Sequence, residues 1–204
     1  MNEFSRQLIH LSGVLFVILG QLIGPLIVVY FILAAFFFFI YSQYIMMEQK
    51  RVSRIISTME EKLRGLALGF ERKDVARPLM GAFWFYFGCG IAFLLFPIGI
   101  ASAACLMLAI GDSFSTMIGH KYGKHKILGK KSVEGSIAFY ITALIPAVIL
   151  LPLIPAIIGA LVAVLVELLP DIKAFRTLKK KQIIDDNWLI PILSGLVIYL
   201  ILLI

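Results

Sequence analysis

Seven apolar stretches, near residues 7–23, 26–46, 79–96, 98–118, 135–151, 153–169 and 188–204, divide this chain of 204 residues, and every basic side chain falls on one side of them. Arg6 precedes the first stretch, eight Lys and Arg lie between Lys50 and Arg77, five between Lys121 and Lys131, and five between Lys173 and Lys181. Each stretch is close to the 20 or so apolar residues that an α-helix needs to cross a bilayer. The remaining connections, at Gly24-Pro25, Pro97-Ile98-Gly99 and Pro152-Leu153-Ile154-Pro155, are short, uncharged and rich in helix breakers, as tight turns between antiparallel helices should be. A chain so arranged predicts an all-α integral membrane protein with about seven spans. The excess of positive charge places the N-terminus and the three long loops in the cytoplasm and the C-terminus outside. The first span lacks a small-residue cleavage site and is expected to be retained.

Composition agrees. Apolar residues make up 61% and charged residues 15% of the chain, against about 45–50% and 25% in soluble domains. A net charge of +7 would suggest nucleic acid in a soluble chain, but here it marks cytoplasmic loops, and no nucleic-acid partner is expected. Residues 1–204 read as one polytopic domain, with an amphipathic segment on the cytoplasmic surface over 48–77, a basic loop over 119–134 and a further cytoplasmic loop over 170–187. Cys89 and Cys105 lie in or beside apolar spans without CxxC spacing and read as packing residues; His10, His120 and His125 are too scattered to favour zinc. The run Phe36 to Phe39 reads as lipid-facing or packed surface.

Acids beside apolar spans are costly, roughly 2.5–3.5 kcal/mol at a helix centre, and so are functional candidates. Asp112 lies one to two turns inside the fourth span, Glu134 opens the fifth and Glu167 closes the sixth, so all approach the cytoplasmic face together with Asp171, Asp185 and Asp186. Such an inventory suits Mg2+, which takes one or two carboxylates plus phosphates and waters. Between Asp112 and Glu134 runs a basic loop with Gly119, Lys121, Gly123, Lys124, Lys126, Gly129, Lys130 and Lys131, followed by Ser132, Gly135 and Ser136. Glycines permit close backbone approach to an anion, lysines supply charge, and the start of the fifth helix adds exposed N–H groups; a polyphosphate would fit there. A patch for anionic lipid headgroups is the bland alternative. The soluble P-loop pattern is absent.

Gly111-Asp112, Gly119, Gly123-Lys124, Gly129-Lys130-Lys131-Ser132 and Glu134-Gly135-Ser136 together resemble the CTP-dependent lipid-alcohol kinases, which include dolichol, phytol and yeast-type diacylglycerol kinases and are related to membrane cytidylyltransferases. Weaker matches are Arg6, His10 and Gly13, then Glu167, and Asp185-Asp186-Asn187 with Pro191. The resemblance implies transfer of the γ-phosphate of CTP, with a divalent metal, to the hydroxyl of a bilayer lipid, most simply a polyprenol, dolichol or related isoprenoid alcohol. It implies Asp112 as metal ligand or base and Lys130 and Lys131 on phosphates, with Glu134 orienting a lysine or the metal. Glu167, Asp185 and Asp186 would complete the metal side. Gly111, Ser115, Gly119, Lys121, Gly123, Lys124, Ser132, Gly135, Ser136 and Asn187 are the further nucleotide candidates, and Arg6 and His10 would touch a phosphate or the lipid hydroxyl.

A cytidylyltransferase is the nearest competitor. Lys131-Ser132-Val133-Glu134-Gly135 resembles that family's Lys-Thr-x-Glu-Gly element, but the preceding Ser-Pro and a downstream Lys-Asp with a Gly-rich segment are missing. No span holds the buried Lys of a retinal protein, and the acids cluster at one face rather than at the midplane where a transporter would need them. The expected partners are therefore the lipid alcohol, CTP and membrane lipids, in a cell membrane or a membrane of endoplasmic-reticulum type; a homo-oligomer is compatible with this.

Overall fold

The computed structural model describes residues 13–15, 17–46, 79–180 and 183–204. The expected surface segment over 48–77 and the candidates Arg6 and His10 lie outside the described residues. In chain order the elements are α1 (Gly13–Ile23), α2 (Leu26–Met46), α3 (Met80–Leu95), α4 (Ile98–Tyr122), β1 (Lys126–Leu128), β2 (Lys131–Ser132), α5 (Val133–Leu150) and α6 (Leu153–Leu168). Two single 3-10 turns, Leu169–Asp171 and Lys173–Phe175, lead into α7 (Arg176–Lys180), and α8 (Asp186–Leu202) follows. Among the described residues the fold is all-α and of membrane type apart from one two-stranded antiparallel hairpin.

Apolar helices stand where the hydropathy pattern places them, and their lengths differ. Among the described residues, Leu26–Tyr44, Ile98–Tyr122, Val133–Leu150 and Leu153–Asp171 are long and apolar enough to cross a membrane, whereas α1, α3 and α8 are shorter. At 1.5 Å per residue the 16 residues of α3 reach about 24 Å, short of the hydrocarbon thickness of about 30 Å. The helix breakers act as read: Gly24 takes a positive φ of 59° between α1 and α2, and Pro97 and Pro152 stand directly before α4 and α6.

Central α4 is 72% buried over its most apolar window, against 22% for α2, which rests on α3 at the edge. Small residues explain its place: Ala101, Ser102, Ala103, Ala104, Cys105, Ala109 and Gly111 are all buried, letting neighbouring helices approach where no difference in hydrophobicity between lipid and protein would draw them together. Its most extensive partner is α5, where Phe139 closes over Gly111; a Cβ on Gly111 would lie 2.7 Å from that ring. Cys89 and Cys105 are fully buried, as packing residues should be. The Phe36 to Phe39 run divides by face: Phe36, Phe37 and Phe39 are exposed on the apolar outer surface, while the Phe38 ring stacks on Tyr86 at 5.2 Å.

One contact places the start of α8. Pro191 has no N–H to give to the Asn187 carbonyl four residues earlier, and that carbonyl faces α3 at Gly88, where an added Cβ would stand 2.8 Å from it and 2.5 Å from the Trp188 Cα. Because both neighbours are backbone, Gly88→Ala is expected to push α8 from α3 and to lower stability by about 1–3 kcal/mol, the usual range for overpacking. A thermal unfolding midpoint in detergent equal to that of the parent protein would contradict this.

Candidate active site

Four segments converge at one end of the bundle: the C-terminal half of α4, the hairpin strand β2, the C-terminus of α6 and the N-terminus of α8. From α4 come Asp112 and Ser115, one turn apart and both buried. From α6 comes Glu167, whose side chain has no exposed surface. The Ser115 hydroxyl donates to Glu167 Oε1 at 2.7 Å, and Lys131 Nζ, reaching in from β2, donates to the same oxygen at 2.7 Å. Lys131 also stands 3.5 Å from Asp186 Oδ2 on the first turn of α8. Burial alone would lower the Lys131 pKa, but the carboxylates of Asp186, Glu167 and Asp112 outweigh it and hold the ammonium above its ordinary value.

At the start of α8, Asp185 caps the helix, with Oδ1 accepting from the Asn187 backbone N–H at 3.0 Å and from its side-chain amide at 2.8 Å. Burial, with Asp186 beside it, raises the Asp185 carboxyl. Among the described residues, the buried acceptors Glu167 Oε2 and Asn187 Oδ1 have no hydrogen-bond partner. Unpaired buried oxygens cost about 1–3 kcal/mol each, and they are the donor type that Mg2+ takes. Among the described residues no three carboxylate, imidazole or thiolate groups are close enough to cage a metal by themselves. Magnesium does not ask for that when substrate phosphates and waters complete its shell, so the residues present fit such an ion.

The basic loop is more ordered than its composition suggests. Helix α4 continues through Tyr122, one turn past the expected span end, with His120 and Lys121 in its last turn, where cations suit the helix dipole. The chain then forms the hairpin β1–β2, which turns at Gly129-Lys130. Gly129 has a φ of 55°, and Lys130 is not among the positive-φ residues, the pattern of a type II′ turn. Next to the turn lies Asp171, which pairs with Lys179 of α7; a Cβ on Gly129 would stand 3.2 Å from Asp171 Oδ1.

Of the five lysines between 121 and 131, Lys131 is the one brought into the carboxylate cluster. Lys121 lies over the Tyr122 ring, while Lys124, just before the hairpin, and Lys126 and Lys130 on it are exposed. Gly119, Gly123 and Gly135 are used for close packing. A Cβ on Gly135 would meet the Ser115 carbonyl at 3.0 Å, and one on Gly123 would meet the Gly119 carbonyl at 2.2 Å and Ser132 Oγ at 2.5 Å. Ser132 caps α5, accepting from Gly135 N–H at 3.2 Å. These residues lock the hairpin against α4 and so aim Lys131 inward. Ser136, one residue on, keeps a buried hydroxyl without a hydrogen-bond partner among the described residues.

Glu134 is not brought to Lys131 or to the carboxylates. Its oxygens accept from the His125 backbone N–H, both at 3.3 Å, and Oε1 lies 2.7 Å from His125 Nδ1, so it clamps the hairpin entry while Val133 N–H bonds the His125 carbonyl at 2.8 Å. The placement follows from direction: two residues past the Ser132 cap, Glu134 projects away from the face that carries Lys131. His125, read from sequence only as a poor zinc ligand, is the residue that reasoning missed; the i, i+9 spacing carries no recognisable signal. His125→Ala should leave the helices in place and raise the exchange rate of the Val133 amide. Unchanged hydrogen exchange there would mean the clamp is idle.

The chain is 31% identical to the dolichol kinase of Saccharomyces cerevisiae over 139 residues, 66% of this chain and 25% of that protein. It is a homologue of a dolichol kinase. This supports the family resemblance carried by the motifs, and the chain spans about a quarter of the length of the curated relative it matches. No family model matches the sequence, and no solved structure matches it.

Proposed function

We propose that this protein transfers the γ-phosphate of CTP to the hydroxyl of a membrane lipid alcohol, a polyprenol, dolichol or related isoprenoid, at the cytoplasmic face. The observation that carries the reading is the convergence of Asp112, Ser115, Lys131, Glu167, Asp186 and Asn187 at the end of the bundle where the basic loop lies, in a homologue of a dolichol kinase.

Phosphoryl transfer demands little covalent chemistry from a protein; it demands positioning and stabilisation of charge spread over the phosphoryl oxygens. The lipid oxygen bonds to the γ-phosphorus, the bond from that phosphorus to the β,γ-bridging oxygen breaks, and CDP leaves. In this reading Asp112 takes the hydroxyl proton. Lys131 and, from the hairpin, Lys130 hold phosphate oxygens, and Ser115 fixes Glu167. A divalent cation held by Glu167, Asp186 and Asn187 Oδ1 would supply positive charge to the phosphates. In the same reading Lys124, Ser136 and the N–H groups at the start of α5 would take the rest of the nucleotide. Burial of Asp112, Ser115, Glu167 and Asn187 strengthens their part in these interactions relative to water.

The test is a reconstituted reaction in liposomes with Mg2+, a panel of lipid alcohols and lipid phosphates, and CTP labelled separately at its γ and α phosphates. γ label in an alcohol establishes the kinase and identifies its substrate. α label in a lipid phosphate would make the protein a cytidylyltransferase. Absence of both, with ATP and GTP equally inert, would remove the enzyme reading.

A further inference from the structure

The ammonium of Lys131 is itself a cation in a carboxylate pocket, and its position bears on how that pocket works. Its Nζ lies 2.7 Å from Glu167 Oε1 and 3.5 Å from Asp186 Oδ2, so the one ammonium bears on both carboxylates, from α6 and from α8. Around that charge the pocket keeps acceptor capacity that the lysine does not use, in Glu167 Oε2 and Asn187 Oδ1, both on residues at least nine-tenths buried. An ammonium donates along at most three directions at hydrogen-bond distance. A hard divalent cation would draw six oxygens to about 2.0–2.1 Å. The two ions cannot both be held between Glu167 and Asp186: a second positive charge within a few ångströms of the ammonium would be repelled, and the oxygens needed are the ones it occupies.

We infer that Lys131 is a built-in exchangeable counterion, which a divalent cation displaces from Glu167 and Asp186 when it binds. The inference deepens the kinase reading, on which it rests for the use made of the released lysine, but the exchange itself requires neither nucleotide nor lipid, because without substrate phosphates waters complete the shell of an ion held by Glu167, Asp186 and Asn187 Oδ1. Physically the arrangement is sound. Without a positive charge Glu167 would be an uncompensated buried carboxylate, so the pocket is stable with either cation. Lys131 sits on a two-residue strand ending at the Ser132 cap and can swing outward without unfolding a helix. The exposed lysines Lys124, just before the hairpin, and Lys126 on it provide an internal reference.

The test uses the full chain in liposomes without nucleotide or lipid alcohol. A short pulse of an amine-acylating reagent is followed by mass spectrometric quantification at each lysine, with Mg2+ or Mn2+ and with NaCl of equal ionic strength. Lys131, shielded and paired, should react slowly in NaCl. Divalent cation should raise its labelling about tenfold, the release of an interaction on the order of 1.4 kcal/mol, with Lys124 and Lys126 unchanged. In Glu167→Gln, labelling of Lys131 should already be fast and insensitive to divalent cation. For Lys131→Met, Mn2+ titrated by electron paramagnetic resonance should bind more tightly than to the parent; if that variant does not fold, the labelling of the parent protein decides. Labelling of Lys131 that is unchanged, or that falls, on adding divalent cation overturns the inference, as does a rise of equal size in NaCl. γ label transferred to lipid together with unchanged labelling would retain the kinase and discard the exchange; exchange without transfer would do the reverse.

Discussion

Asp112→Asn is expected to reduce phosphate transfer by on the order of 10²–10⁴-fold, the range for losing a positioned acid–base group, while leaving the protein folded. The side chain is 6% exposed on the most deeply packed helix, and Asn matches it in volume, so no cavity opens. What disappears is a negative charge. Lys131 keeps its contacts with Glu167 and Asp186 and so still has partners. The measurement pairs the rate of γ-label transfer with the unfolding midpoint of the same preparation. Transfer within about tenfold of the parent rate would remove Asp112 from the mechanism, because the least demanding role in that range costs more.

Lys131→Met should lose both activity and stability. Its removal leaves the Glu167 carboxylate buried with only the Ser115 hydroxyl for company, and breaking a buried pair on one side costs about 3–5 kcal/mol. Pairing it with Glu167→Gln neutralises both members, and replacing a whole buried pair by neutral groups is often close to neutral in stability. The double variant should therefore recover most of the unfolding free energy and none of the transfer. That separation is what distinguishes an ion pair kept for chemistry from one kept for the fold. If the double variant recovers transfer as well, Lys131 has no part in the reaction.

Much of this architecture is legible in the primary structure because the physics that produces it is local. A run of apolar residues must satisfy its backbone hydrogen bonds internally as a helix when it lies in lipid. Gly24, Pro97 and Pro152 break such runs where they stand. The positions of the apolar helices, the tight turns and the gathering of acids toward one end follow from those two facts. The hairpin is a different case. Its glycines and lysines are equally consistent with a phosphate cradle and a headgroup patch, and what separates these is which side chain points where.

Direction and long-range approach belong to the tertiary structure. Ser115 and Glu167 are 52 residues apart, and Lys131 and Glu167 are 36 apart; no periodicity links them. The choice of Lys131 over Lys130 depends on the end of the turn: Lys130 is exposed in the two-residue turn, whereas Lys131, the first residue of β2, reaches the carboxylates. Gly119, Gly123 and Gly135 could be read from sequence as positions needing close approach, but only the packing shows that they approach Ser132, Ser115 and one another. Glu134 carries the same lesson, spent on His125 rather than on the ammonium of Lys131, three residues before it. The sequence by itself determined an all-α membrane bundle with its acids and basic loop at one end, because helix formation in lipid and the cost of buried charge act residue by residue. Which acid meets which base was decided by the tertiary structure, because ion pairs form only where packed elements bring their oxygens and nitrogens within about 4 Å.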